Sequence, residues 1–203
     1  MTGKSMWRTL LVALPMVLLL GCSDYGKVDQ GRVIKYDDTT KTMTFIRDKA
    51  NDTFNPDYTH LPPITYTLPV DPAEIGPLPK AGGRMKIDNK KNLITIFDTA
   101  TQNFKTIEFT MVDFKENIDK QHPLVFDKDA GKAKKFPVVD KDKKTVTIYS
   151  GRQKTLSVIS LPAEYFALPD STWDAGDEAR VYYKEDGKAL RFMNISKTDI
   201  FKK

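Results

Sequence analysis

Short segments in which apolar and polar residues alternate recur along most of this 203-residue chain. Thr42–Phe45 and Thr145–Ile148 are examples: every second side chain is apolar, which is typical of strands with one buried face. Twelve prolines interrupt the sequence, and their density at Asp71–Pro79 excludes a long helix in that segment. The sequence therefore predicts a mainly β fold of antiparallel strands joined by short turns.

Segments in the first half of the chain resemble segments in the second half, in the same order. The matched pairs are Asp37–Phe45 with Asp140–Ile148, Thr67–Pro69 with Ser160–Pro162, and Ala81–Ile87 with Ala175–Val181. Hairpins in general share turns and threonine-rich strands, so one match alone would carry little weight. Three matches in one order favour an internal repeat that arose by duplication.

The duplication predicts two tandem antiparallel β units of about five strands each. The first unit covers residues 31–112, a charged connector covers 113–135, and the second unit covers 136–203. Each unit has the size of a small barrel or a half-open sandwich. Short helical turns are expected at Pro72–Ile75 and Ala163–Leu168, where prolines flank the segments. The strand Gly176–Tyr183 and the hairpin after it resemble strands of OB-fold barrels.

Residues 1–21 have the pattern of a secretory signal peptide. Lys4 and Arg8 precede an apolar block at Thr9–Leu20, and the small residue Gly21 follows it. The block is about a dozen residues long, whereas a helix that spans a bilayer needs roughly 20 apolar residues. A cleaved export signal is therefore favoured over a permanent transmembrane helix.

The run Leu19-Leu20-Gly21-Cys22 resembles the lipobox of bacterial lipoproteins. That resemblance implies cleavage before Cys22 and lipidation of this residue on its sulfur and its new amino group, which would anchor the protein in the lipid bilayer. The short polar stretch 22–30 is expected to be the lipidated tether. Ser23 stands where aspartate marks retention in the inner membrane in the best-known sorting pattern. The outer membrane of a bacterial cell envelope is therefore favoured, with the inner membrane as the alternative.

The cysteine count and the charge exclude several classes of function. Lipidation of Cys22 would use the only cysteine, leaving no disulfide, no cysteine-ligated metal and no thiol nucleophile. Without Lys4 and Arg8, 30 basic residues stand against 27 acidic ones, and they are interspersed, unlike the basic patch of a nucleic-acid binder. His60 and His122 are not spaced as metal ligands. We therefore expect no cofactor, no metal and no nucleic-acid partner.

Candidate catalytic residues are few. The sequence contains no serine-nucleophile motif and no phosphate-binding glycine loop. Acidic residues around Trp173 give a faint indication of a glycosidase; they are Glu164, Asp170, Asp174 and Asp177. Tyr165 and Phe166 are candidates to line a groove beside Trp173, although such aromatic residues more often cover a core.

The Asp-x-Asp spacing at Asp127 and at Asp140 is found in calcium loops. Lysines occupy the intervening positions, Lys128 and Lys141, and oppose cation binding. Solvated turns are therefore expected at both places.

Together these features predict a membrane-anchored envelope lipoprotein that is a non-enzymatic binding or structural module for an envelope protein partner. Two alternatives stay open. One is an envelope glycan hydrolase that uses the acids near Trp173, and the other is a carrier of a small ligand or cation. The chain as a whole resembles bacterial lipoproteins of an uncharacterised family.

Overall fold

The computed structural model describes residues 25–50, 52 and 56–198. The predicted signal peptide, Cys22 and the first residues of the predicted tether lie outside this part. The described residues form β-strands and three 3-10 helices, at Pro72–Glu74, Ala163–Ala167 and Asp170–Trp173. In the described part of the chain no helix is long and apolar enough to cross a membrane. The mainly β fold with short helical turns is confirmed.

The strands are short, and turns or proline-rich segments separate most of them. In chain order they are β1 (Lys27–Asp37), β2 (Thr42–Arg47), β3 (His60–Thr67), β4 (Arg84–Asp88), β5 (Leu93–Asp98), β6 (Asn103–Glu108), β7 (Thr110–Lys115), β8 (Phe126–Asp127), β9 (Lys132–Ala133), β10 (Val138–Asp140), β11 (Thr145–Ser150), β12 (Thr155–Ser160), β13 (Glu178–Tyr183) and β14 (Ala189–Asn194).

The strands pair in antiparallel order. The sheets are a five-stranded sheet β14-β13-β1-β2-β3, a four-stranded sheet β10-β11-β12-β7, a three-stranded sheet β4-β5-β6 and the hairpin β8-β9. The edge strands of the five-stranded sheet approach each other at a parallel bridge between Thr67 and Lys188, outside the ladders. This sheet does not close into a barrel, so of the two predicted architectures the open one describes it.

The sheets do not follow the predicted division into residues 31–112 and 136–203. β1 pairs with β13, from Lys27 opposite Tyr183 onward, and β7 pairs with β12. The predicted tether is also shorter than expected, because β1 already begins at Lys27. β7 extends to Lys115, inside the predicted connector. Strands distant in sequence therefore complete each other's sheets.

The two largest hydrophobic cores are shared in the same way. One lies on the inner face of the five-stranded sheet and includes Val33, Phe45, Tyr66, Val181 and Phe192. The other joins the three-stranded and four-stranded sheets and includes Ile94, Ile96, Val146, Ile159 and Trp173. The alternation of side chains along a strand explains which residues enter the core. On β5, Ile94 and Ile96 are buried, whereas Thr95 between them is not.

One turn type joins five of the hairpins. An aspartate opens the turn, and its Oδ1 accepts hydrogen bonds from backbone N–H groups two or three residues further on. The fifth residue has a positive φ between 51° and 60°. The turns are Asp37–Lys41, Asp88–Asn92, Asp98–Gln102, Asp127–Gly131 and Asp140–Lys144. The match of Asp37–Phe45 with Asp140–Ile148 therefore reflects a turn type that all five hairpins share. Duplication stays a prediction.

The two matched Ala-Gly pairs lie against each other, at a place that we call the glycine contact (Val33, Gly82 and Gly176). Gly82 N donates to Val33 O over 3.0 Å, and Val33 N donates to Asp177 O over 2.9 Å. A Cβ atom at Gly82 would lie 2.3 Å from Gly176 N, and one at Gly176 would lie 2.3 Å from Val33 O. Only glycine allows the three backbone segments to approach this closely.

A buried arginine–tyrosine contact connects β1 with the segment before β3. The Arg32 guanidinium carbon lies 4.3 Å from the centre of the Tyr58 ring. Arg32 Nη1 also donates to the backbone oxygens of Arg84 and Met85, over 3.3 and 3.2 Å. The Tyr58 hydroxyl is buried, and within the described residues it has no hydrogen-bond partner. Burial raises the pKa of Tyr58 from 10.0 to about 12.

We expect Tyr58→Phe to reduce the loss of stability at alkaline pH. The unfolded chain loses the tyrosine proton near pH 10, whereas the folded chain keeps it until about pH 12. The free energy of unfolding therefore falls as the pH rises through this window. Between pH 9 and pH 11 the wild type should lose about 1.3 kcal/mol more than Tyr58→Phe. Urea unfolding of both chains at the two pH values measures the difference, and equal losses would contradict it.

Candidate binding site

A cavity of about 350 Å³ lies where the β5–β6 hairpin, the loop 81–83 and the segment 164–172 meet. Ligand pockets commonly have volumes of about 300–1,000 Å³, so this one has room for a small molecule or for a few side chains of a partner. Pro162 and Pro169 each stand directly before a 3-10 helix, where the fixed φ of proline suits the helix start. The cavity wall is thus built from two hairpin strands and two short helical turns.

The cavity has an apolar floor and a polar rim. Apolar side chains come from β1, β5 and the segment between the 3-10 helices; they are Ile34, Ile96, Phe97 and Leu168. Polar and charged side chains of the lining are Asp98, Thr99, Lys105, Glu164, Ser171 and Thr172. Asp98 and Glu164 provide two carboxylates against the single ammonium of Lys105, so negative charge predominates among the charged lining residues.

The charged groups of the rim are held in defined positions. Lys105 Nζ lies 4.8 Å from the centre of the Tyr165 ring, within the range of a cation–π interaction. Asp98 Oδ1 accepts a hydrogen bond of 2.9 Å from Ala100 N. Bonds of this kind, with help from Thr101 and the charge of Lys105, hold the pKa of Asp98 below its usual value of 3.8. Asp98 is therefore ionised at neutral pH and available to a cationic group.

The four predicted acidic residues near Trp173 are not assembled into one site. Glu164 lines the cavity, whereas Asp170 Oδ1 lies on the surface, 3.4 Å from Lys141 Nζ. Asp174 pairs with Lys80 Nζ.

Asp177 is buried and has a structural role. Its Oδ2 accepts hydrogen bonds from Lys80 N at 2.7 Å and from Asn194 Nδ2 at 2.9 Å. Lys197 Nζ lies 3.1 Å from the same oxygen. Asp177 therefore ties the start of β13 to the end of β14 and to the loop before the glycine contact.

The predicted aromatic group divides between core and cavity. Trp173 is fully buried and Phe166 is nearly so, and both belong to the core between the three-stranded and four-stranded sheets. Their ring centres are 6.5 Å apart. Tyr165 is half-buried and lines the cavity. Trp173 and Phe166 therefore cover a core, as aromatic residues of this kind commonly do.

The two histidines lie in separate surroundings. His60 begins β3, and its Nε2 is 2.6 Å from Arg47 Nη2. His122 lies in a turn, where its Nδ1 accepts from Leu124 N over 3.2 Å. Among residues 25–50, 52 and 56–198, no three His, Cys, Asp or Glu side chains are grouped as ligands for a metal ion. The Asp-x-Asp segments at Asp127 and Asp140 open hairpin turns.

A polar cluster at the start of β1 was not found from the sequence. Tyr66 OH donates to Asp29 Oδ2 over 2.7 Å, and Asp29 Oδ1 lies 3.6 Å from Arg47 Nη1. Burial and the hydrogen bond to Asp29 raise the pKa of Tyr66 far above its usual value. No local sequence pattern predicts this cluster, because Asp29, Arg47 and Tyr66 come from three different strands. Asp29 also belongs to the predicted tether.

The fold and the cavity define an open, mainly β protein in which distant strands share two cores beside a pocket with polar and apolar lining residues. The chain belongs to the family described as a domain of unknown function, DUF4881, whose model matches residues 24–203. The match begins just after the predicted lipidation site, and it agrees with the resemblance to an uncharacterised family. No curated protein matches the chain, and no solved structure matches it.

Proposed function

We propose that this protein is a lipid-anchored protein of the bacterial cell envelope that binds a partner or ligand non-covalently in the cavity at Lys105 and Tyr165. The lipobox-like run that ends at Cys22 supports the anchor, and the outer membrane is the favoured location. The cavity of about 350 Å³ is the observation that carries the binding role. A ligand that is complementary to this cavity has an apolar part, which contacts the floor, and a positively charged part, which contacts the carboxylates of the rim.

The surroundings of the cavity support binding rather than catalysis. Of the four acidic residues predicted near Trp173, only Glu164 lines the cavity. The other acidic residues near Trp173 are used in ion pairs and structural hydrogen bonds. The hydrolase alternative requires two of the acidic residues near Trp173 to face one cleft, and only one of them lines the cavity. We therefore favour a binding module over the hydrolase alternative.

A substitution that fills the cavity tests the proposal. Thr99 is exposed and lines the cavity, whereas its neighbour Ala100 is exposed on the same turn and does not. We expect Thr99→Trp to abolish retention of the bound species and Ala100→Trp to leave it unchanged. The measurement is chemical cross-linking of the lipidated protein in envelope membranes, followed by affinity purification and mass spectrometry.

Each outcome of this comparison decides the matter. Species recovered with the wild type and with Ala100→Trp, but lost with Thr99→Trp, would support binding at the cavity. Equal recovery from all three chains, or recovery from none, would contradict it. Release of sugars from purified envelope glycan by the wild type would contradict the non-enzymatic role.

A further inference from the structure

The outer face of the five-stranded sheet carries exposed apolar side chains close to the start of β1. Val28 on β1 lies opposite Tyr182 on β13, and Tyr182 lies opposite Arg191 on β14. Val28 is 57% exposed and Leu190 is 46% exposed. Together with Arg180, these residues form a surface that we call the β1 face (Val28, Arg180, Tyr182, Leu190 and Arg191).

The chain between the predicted lipid and this face is very short. Cys22 precedes Lys27, the first residue of β1, by five positions. Five residues reach at most about 17 Å even when fully extended. A folded chain of this length is about 40 Å across. A lipid on Cys22 would therefore hold the start of β1 beside the headgroups, and the domain could not turn freely above the membrane.

The chemistry of the β1 face suits the headgroup layer. Tyr25, which lies between the lipid and β1, is 88% exposed, and tyrosine rings favour the membrane interface. Arg180 donates to the neutral Oε1 of Gln30 over 2.7 Å and keeps its positive charge. Anionic lipids attract cations that lie near the membrane surface, and Arg180 is the relevant one because Arg191 is paired with Glu74. Val28 and Leu190 add apolar area between these polar groups.

We propose that the β1 face rests on the headgroup layer of the membrane that holds the lipid of Cys22. This inference rests on the lipid anchor of the proposed function, and it adds which surface of the domain meets the bilayer. The far end of this side of the sheet is covered, because Ile46, opposite Arg32, packs with Met85 and Phe97 of the three-stranded sheet.

Fluorophores at matched positions test this orientation. Cys22 is the only cysteine, so after lipidation an introduced cysteine is the only free thiol. Leu190→Cys places a label on the β1 face, and Val138→Cys places one at a position of similar exposure on β10, 46% against 50%. Val28→Cys and Val112→Cys are a second pair, with 57% and 58% exposure. The labelled, lipidated proteins are reconstituted in phosphatidylethanolamine and phosphatidylglycerol vesicles that contain a nitroxide-headgroup lipid.

We expect quenching to be several-fold stronger at Leu190 than at Val138, and stronger at Val28 than at Val112. Leu190 is the more informative position, because it is far from Cys22 in sequence. It lies near the membrane only if the β1 face rests on the headgroup layer. Equal quenching within the pairs, or the reverse order, would overturn the proposed orientation. Failure of the anchor is recognised separately: the wild type would then float with the vesicles no better than Cys22→Ser.

Discussion

Gly176→Ala should destabilise the protein by about 4 kcal/mol or more, which is at the upper end of the effects of single substitutions. Gly176 has a φ of +69°, and an added Cβ atom would lie 2.3 Å from Val33 O and 2.9 Å from Gly82 N. Both contacts are with backbone atoms that take part in the hydrogen bonds of the glycine contact, so a side-chain rotation cannot relieve them. Urea unfolding monitored by far-UV circular dichroism measures the change.

Gly131→Ala is the matched control for this prediction. Gly131 also has a positive φ, of +60°, but a Cβ atom there would meet nothing within 4 Å. Its substitution should cost only the conformational strain, about 1–2 kcal/mol. If the two variants were destabilised equally, the close approach at the glycine contact would have no energetic importance.

Trp173→Ala should cost about 3–5 kcal/mol, because it leaves a large cavity in the core between the three-stranded and four-stranded sheets. Trp173 is fully buried and lies near Phe166, with ring centres 6.5 Å apart. Its Nε1 has no hydrogen-bond partner within the described residues, so the loss is one of packing. The same unfolding experiment measures it.

Phe114→Ala provides the comparison for the tryptophan. Phe114 lies on β7 and is 39% exposed, so its truncation should cost markedly less than that of the fully buried Trp173. A cost for Trp173→Ala as small as that of Phe114→Ala would mean that the tryptophan lines an open groove. That result would restore the hydrolase alternative, which depends on aromatic residues facing a substrate.

Local patterns were sufficient to predict most of the strands and two of the three short helices. The alternation at Thr42–Phe45 gives β2 its buried Met43 and Phe45, and the proline before Ala163 marks the start of a 3-10 helix. These features depend only on neighbouring residues, which is why the sequence contains them. The end of the tether was misjudged because Lys27–Gln30 carry no alternating apolar pattern, yet they pair with β13.

Long-range pairing was not predictable in the same way. The sequence of β1 does not indicate that β13 is its partner, because an antiparallel ladder depends on backbone groups that all residues share. The cavity illustrates the same limit. Glu164 and Tyr165 stood out beside Trp173, whereas Asp98 and Lys105 joined the site only because the fold brings the β5–β6 hairpin to the segment 164–172.

The pairing of β1 with β13 has a consequence for the order of folding. Lys27 can find its partner Tyr183 only after almost the whole chain has been made. Contacts of such sequence separation form slowly, because a long loop must close first. In the exported protein that we propose, the five-stranded sheet could not be completed on the side of the membrane that the N terminus has already left.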